Sequence, residues 1–348
     1  WKIARTSFLG DHVTIVTPHP RENLWFAGLD HGHFGAKIHR SKDAGATWEE
    51  CKAPEYPKPP EGHEEKDFFG RPMEWKLRKI WALESGQQPG LVWCGTIPGG
   101  LFRSEDGGAS WQIVESLWRH PLRLKWFGGG ADYPGIHSIC VDPRDRQRVS
   151  LGVSCGGVWV TTDGGQTWNC QADGMWAAYM PPDPPEAKSD PNIQDPHRVV
   201  QCPAQPDKFW AQHHNGVFRT IDNCKSWQEV KDIPPSVFGF AVAVHPRDGD
   251  TAWFVPAIKD EKRIPVDGKV VVSRTRDGGK SFDVLRNGLP QEHAYDLVYR
   301  HALDIDESGN TLAFGSTTGS AWISEDQGDH WQCLSTHLPP ILCVRFEK

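Results

Sequence analysis

An eight-residue pattern, Ser/Thr-x-Asp-x-Gly-x-x-Trp, occurs six times in the 348 residues of this chain. The copies begin at Ser41, Ser104, Thr161, Thr220, Thr275 and Ser324, with aspartates at Asp43, Asp106, Asp163, Asp222, Asp277 and Asp326. Copy four carries Cys224 in the glycine slot, and copy five carries Phe282 in the tryptophan slot. Successive aspartates lie 49 to 63 residues apart. A recurrence of that period is the signature of a repeat architecture. Each copy reads locally as a β-hairpin loop. Aspartate and Ser/Thr side chains hydrogen-bond nearby backbone and hold a turn closed. Glycine supplies a positive φ without a Cβ clash, and the aromatic opens the next strand.

Around each loop the chain reads as four short strands. In the third repeat these are Ile136–Val141 (strand A), Val149–Ser154 (B), Val158–Thr162 (C) and Trp168–Cys170 (D). The other first strands are Val13–Thr17, Lys79–Leu83, Val199–Cys202, Gly239–Val244 and Ala302–Ile305. The A–B turns, such as Pro18-His-Pro-Arg21 and His245-Pro-Arg-Asp248, are rich in Pro, Asp and Gly. Four-stranded units repeated about an axis make an all-β propeller. Ile341–Phe346 resembles a further strand A and Trp1–Arg5 a strand D. Together they predict a hybrid closing blade, drawn from residues 1–10 and 341–348. The expectation is therefore one domain over residues 1–348: a seven-bladed β-propeller with six boxed blades plus the hybrid, the alternative being six blades.

The motif resembles the Asp-box, or BNR, repeat of sialidases and related β-propellers, and the resemblance spans essentially the whole chain. It implies the propeller fold and, for function, kinship with bacterial Asp-box proteins described as glycosyl hydrolases. Propeller glycosidases bind sugar at the channel mouth and use carboxylates as acid, base or nucleophile. The chain departs from sialidases themselves. Their N-terminal F/Y-R-I-P motif is matched only by Arg263-Ile264-Pro265, preceded by Lys262 in the fifth repeat. Their Tyr–Glu nucleophile pair has few candidates here, since the chain has five tyrosines.

The net charge of −7, from 38 basic and 45 acidic residues without a basic stripe, argues against nucleic acid as a partner. No apolar run approaches the ~18 residues of a membrane-spanning helix. Nine cysteines form no C-x-x-C pair. An odd, scattered set fits reduced thiols. With no signal-peptide pattern from Trp1 onward, the expectation is a cytoplasmic protein. Most of the 17 tryptophans, including Trp25, Trp93, Trp159, Trp210, Trp253 and Trp322, are expected between blades.

In an A-B-C-D meander the A–B and C–D turns share one end, and the B–C and D–A connections share the other. The boxes thus occupy one end, and the long irregular loops, where function concentrates, the opposite one. There the chain carries His31; His120, Arg123, Asp132 and His137; Asp195 and His197; His213 and His214; Arg263; and Glu292, Tyr299 and Arg300. Strand A is innermost, so His137, His197 and Arg300 are expected at the mouth of the axial channel.

Three functional classes follow. A carbohydrate-active enzyme, hydrolase or uronate lyase, would take an acidic or neutral sugar. It would use His137, His197, Asp195 and Glu292 for proton transfer. His31, His120, Arg123, Asp132, His213, His214, Arg263, Tyr299 and Arg300 would bind substrate. Arginine matches a sugar carboxylate bidentately, and Trp118, Trp126 and Trp176 would stack on sugar rings. A divalent-metal site would use His137, His197 and His213 or His214, with Asp195 completing an N/O set, although no cofactor is required. A non-catalytic propeller would serve as a docking surface. A carbohydrate or another small anionic molecule is the expected partner.

Overall fold

The computed structural model describes every residue except Arg21, Asp67, Phe68, Phe69, Gly130 and Lys348. Arg21, in the first predicted A–B turn, and Lys348, in the predicted closing segment, thus lie outside the described residues. Six four-stranded antiparallel sheets, each paired in chain order, form the blades of an all-β propeller fold. The chain divides into two compact units, Arg5–Pro196 and His197–Lys348, the latter including Trp1–Ala4.

Blade 1 comprises His12–Pro18, Trp25–Asp30, Ala36–Ser41 and Glu49–Cys51. Blade 2 comprises Lys79–Ser85, Val92–Ile97, Leu101–Ser104 and Gln112–Ile113, and blade 3 Gly135–Val141, Val149–Ser154, Gly157–Thr161 and Asn169–Cys170. Blade 4 comprises Pro196–Gln201, Phe209–His213, Gly216–Thr220 and Gln228–Val230. Blade 5 comprises Gly239–Val244, Ala252–Pro256, Val272–Thr275 and Asp283–Leu285, and blade 6 Leu303–Ile305, Leu312–Gly315, Ala321–Ser324 and Gln332–Ser335.

Each box closes the C–D turn of its blade with one hydrogen-bond plan. In blade 3, Thr161 Oγ1 donates to Asp163 Oδ1 at 2.7 Å and accepts the Gly165 amide at 2.9 Å. Asp163 in turn accepts the Thr167 amide at 2.9 Å and the Thr167 hydroxyl at 2.6 Å. The residue before the aromatic is therefore part of the motif. Ser110, Ser226 and Ser281 repeat its hydroxyl contact at 2.6 Å, and in blade 6 the His330 ring takes that place. The glycine-slot residues have φ of 76° to 94°, and Cys224 adopts 69° in the same left-handed region. These contacts favour the charged carboxylate. The hydroxyl, then the amide, of the residue four positions on holds Asp106 and Asp163 down at about 2. Asp277 is held at about 2 by the Ser281 hydroxyl first.

Tryptophans fill the spaces between blades within each unit. Trp93, Trp159, Trp210 and Trp253 are fully buried. Trp93, Trp126, Trp159 and Trp168 share one apolar cluster, and Trp253, Trp322 and Trp331 share another. Phe282 fills its tryptophan slot against Phe254, ring centroids 6.3 Å apart.

The seven-bladed expectation is corrected to six. Residues 1–7 form no strand, and residues 341–347 contribute one parallel bridge, Cys343 to His301. A blade needs its middle strands to carry the ladder, and neither end segment has them. The C-terminal segment lies along blade 6 instead. The Ile341 amide donates to the Ser316 carbonyl and the Val344 amide to the His301 carbonyl. Among the described residues no helix is long and apolar enough to cross a membrane.

Candidate functional site

The unit containing blades 4 to 6 gathers five of the sequence candidates around two phenylalanines. His197 is the second residue of strand A in blade 4, and Phe240 the second residue of strand A in blade 5. Their rings stack at 4.4 Å with planes 14° apart. His214, in the B–C turn of blade 4, meets the His197 ring edge-on at 5.4 Å and the Phe238 ring at 6.0 Å. Tyr299 meets Phe240 edge-on at 5.3 Å. The guanidinium carbons of Arg300 and Arg263 lie 5.1 and 5.3 Å from the centre of the same Phe240 ring. Both distances are within cation–π range. Ala257 and Leu297 complete the apolar floor.

The topology brings these side chains together. His214 and Arg263 sit on B–C connections, while Phe238, Tyr299 and Arg300 sit where D–A connections enter strand A. All these connections share the end of the blade opposite the boxes. His197 is 1% exposed and Arg300 8%, so both are set into the wall, whereas His214 and Tyr299 are half-buried. His197 Nδ1 lies 2.7 Å from the Gly239 carbonyl. A carbonyl only accepts, so Nδ1 carries the proton, and in the neutral ring Nε2 holds the lone pair. Arg263 is held by Asp260 through its Nη2 at 2.5 Å and its Nε at 3.0 Å. The arrangement offers imidazole and phenol for proton transfer and guanidinium for an anion, while the buried Phe238 and Phe240 rings brace these groups from beneath.

The other candidates of this unit stand apart in character. His213 is fully buried; its Nδ1 accepts the Asn215 amide at 3.3 Å and its ring packs on Phe218 at 5.1 Å. Glu292 is exposed on the loop ahead of Tyr299. Phe238 and Phe240 were not singled out from sequence. Their signal was the Phe-Gly-Phe at the head of a strand, since residues two apart share a face.

In the unit Arg5–Pro196, Arg123 is taken up by the protein itself. Its Nη1 and Nη2 donate to Glu65 Oε1 and Oε2 at 2.8 and 2.7 Å, and its Nε donates to the Trp118 carbonyl at 2.5 Å. Both side chains are buried, at 4% and 3% exposure, and the guanidinium lies 3.9 Å from the Trp118 ring centre. The pair joins the loop after blade 1 to the loop after blade 2. His137 is fully buried, with Nε2 2.7 Å from the Pro196 carbonyl and Nδ1 2.9 Å from the Ser138 hydroxyl. Both of its ring nitrogens are thus engaged.

Asp195 is also buried, and its Oδ1 accepts the Ser154 hydroxyl and the Cys155 amide, each at 3.1 Å. It thereby braces the B–C turn of blade 3, where Cys155 has φ of 46°. Beside it Tyr179 donates to the Ile193 carbonyl at 2.6 Å, and burial first of all raises the phenol well above its ordinary value. His120 is half-buried against Trp159, and that burial lowers its affinity for a proton. His31 is half-buried, 4.0 Å from Asp11, and Asp132 is exposed. Trp118 and Trp126 are buried, while Trp176 remains exposed between buried Met175 and Ala177.

No protein-family model matches the chain. Over 268 residues it is 35% identical to an oligoxyloglucan-reducing end-specific xyloglucanase of Emericella nidulans, covering 69% of this chain and 30% of that protein. The chain thus spans about a third of the length of that curated relative. Among solved structures it is similar to an ancestral GH74 enzyme, with a TM-score of 0.63 and 14% identity over 93% of this chain and 38% of the other. It is also similar to YCF48 bound to D1 peptide, with a TM-score of 0.55 and 12% identity over 93% of this chain and 81% of the other. These structural likenesses establish the fold.

Proposed function

We propose that this chain is a carbohydrate-active enzyme of the glycoside-hydrolase kind, binding its sugar beside the partly exposed His214, Arg263 and Tyr299, which stand on the buried Phe238–Phe240 pair. The observation that carries the reading is the His197–Phe240 stack, with His214, Tyr299, Arg263 and Arg300 arranged around it. The xyloglucanase relative and the GH74 neighbour support the class. Cleaving a glycosidic bond requires a proton for the leaving oxygen and a base on the other side of the reaction. His197, with its lone pair at Nε2, is the base of this scheme, and the Tyr299 phenol is the donor. The guanidinium groups orient a carboxylate or hydroxyls of the sugar. Glu292, exposed ahead of Tyr299, is the carboxylate of this scheme, while Asp195 braces the B–C turn of blade 3. A divalent metal on His197 and His214, whose ring nitrogens lie within 4.8 Å of each other, is the alternative chemistry, tested by elemental analysis of protein purified without chelator.

The test is turnover on a panel of neutral xyloglucan-derived and uronate-containing oligosaccharides. A hydrolase releases a new reducing end, and a lyase releases an unsaturated, ultraviolet-absorbing uronate. His197→Ala should abolish either product in protein that still folds, as judged by circular dichroism, with stability lowered by about 1–3 kcal/mol for the lost buried ring and its hydrogen bond. Absence of product across the panel would remove the enzymatic reading. A second reading is peptide docking. It is favoured by the coverage of peptide-bound YCF48, 81% of whose chain this one matches. Retention of the protein on an immobilised peptide array, without turnover of any sugar, would select it.

A further inference from the structure

Gln212 is the penultimate residue of strand B of blade 4, just before His213, and it is 2% exposed. Its side-chain nitrogen faces three carbonyls: His213 at 3.2 Å, Gly216 at 3.1 Å and Val237 at 3.0 Å. Three acceptors around one atom require that atom to be the NH2 group, because an amide oxygen there would meet only other oxygens. Two of the carbonyls bracket the turn that carries His214. The third immediately precedes Phe238. The same amide lies flat on Gly239: a Cβ at that position would stand 3.3 Å from Gln212 Oε1 and 3.6 Å from its Cδ. Gly239 supplies the carbonyl that fixes the proton on His197 Nδ1. Gln212 therefore touches the support of each imidazole and of both phenylalanines, without lining the site itself.

We infer that Gln212 is the positioning residue of this site, setting the orientation of His214 and the tautomer of His197 from behind. The inference rests on reading the cluster as a ligand site, but its first readout needs no ligand. Gln212→Met keeps the length of the side chain and removes its donors. Released from Val237, the segment 237–240 shifts its Gly239 carbonyl, and His197 loses the acceptor that selects Nδ1–H. In histidine-labelled protein, long-range proton–nitrogen spectra report which ring nitrogen carries the proton. In the wild type His197 should read as the Nδ1–H form. In Gln212→Met it should become a mixture of tautomers, with the His214 resonance displaced. His137, held by Pro196 in the other unit, should not move, and so monitors folding.

Binding of the oligosaccharide turned over best in the panel should weaken roughly tenfold in parallel. An unchanged His197 tautomer in folded Gln212→Met overturns the inference, whatever the sugar result. If the panel yields no ligand but His197 changes tautomer, the positioning role stands and the enzymatic reading falls. Should Gln212→Met disturb His137 as well, Gln212→Asn provides the second comparison. It keeps the amide one methylene short of Val237, and the same His197 change is expected. If His137 is lost there too, Gln212 serves the fold at large and the inference is wrong.

Discussion

Replacing Arg123 with methionine separates two roles for this residue. As a ligand-binding arginine, its loss would weaken binding and spare the fold. The structure gives the opposite outcome. Arg123 and Glu65 make a two-pronged ion pair at 2.7 and 2.8 Å with both side chains almost fully covered. Removing one member of such a pair leaves a buried charge without its counterion, at a typical cost of 3–5 kcal/mol. Here the stranded Glu65 keeps the Trp75 indole N–H at 3.1 Å, and methionine still covers the Trp118 face. The expected loss is therefore at the lower end, about 3 kcal/mol. Glu65→Leu should cost a similar amount. The double variant should cost no more than either single change, about 3 kcal/mol rather than the sum, because two neutral side chains leave no buried charge, giving a coupling of about 3 kcal/mol. Urea unfolding of the four proteins measures the cycle. Hydrogen exchange in segments 52–66 and 115–129 locates it on the two joined loops. Wild-type unfolding of Arg123→Met together with lost affinity for the panel sugar would refute this reasoning and return Arg123 to the ligand site.

Asp163→Ala should lower stability by about 1–2 kcal/mol through loss of the box turn, with ligand binding intact, as judged by urea unfolding beside a binding isotherm. Asp106, Asp163 and Asp277 are held at about 2, below the ordinary value of 3.8. A depressed carboxylate contributes stability above its unfolded value and loses it as pH falls through the folded one. The wild type should therefore lose stability between about pH 4 and pH 2, and Asp163→Asn should flatten that slope, as followed by circular dichroism. Gly108→Ala combines a φ of 78° with a Cβ 2.5 Å from Phe26, whereas Gly10→Ala has a φ of 86° and open space. Thermal melts should show a loss of 2 kcal/mol or more for the first and about 1 kcal/mol for the second.

The repeat made the fold readable because each box fixes a turn from within eight residues, with no need of distant partners. Some strand bounds came through, Val149–Ser154 and Gly239–Val244 end for end, while the expected Val199–Cys202 is Pro196–Gln201 in the structure. The blade count did not, because strand-like composition in Ile341–Phe346 says nothing about whether middle strands exist to pair with it. The site was legible only as an end of the blades. Sequence placed His197, His214, Arg263, Tyr299 and Arg300 at that end, but so it did Arg123 and His137. Nothing local reveals that Glu65, 58 residues away, meets Arg123, or that His137 spends both nitrogens on backbone and serine. Long-range pairing of polar groups has no period to read. Phe240 was missed because an apolar residue on an inner strand looks like core. It is core, and it acts on the site through the His197 ring stacked on it.

The segment beyond blade 6 has a bearing on solubility. An inner strand with exposed backbone is a template for any extended chain that drifts past. Here the molecule covers it with its own residues: Ile341 sits where a Cβ on Gly315 would intrude, and Val344 caps His301. Shortening the protein before Ile341 would uncover the Ser316 and His301 carbonyls, the second of them two residues from Tyr299, and invite a neighbour's strand to settle there. Self-association of the shortened form would then mimic the capture of a foreign peptide, and concentration-dependent sedimentation would tell one from the other.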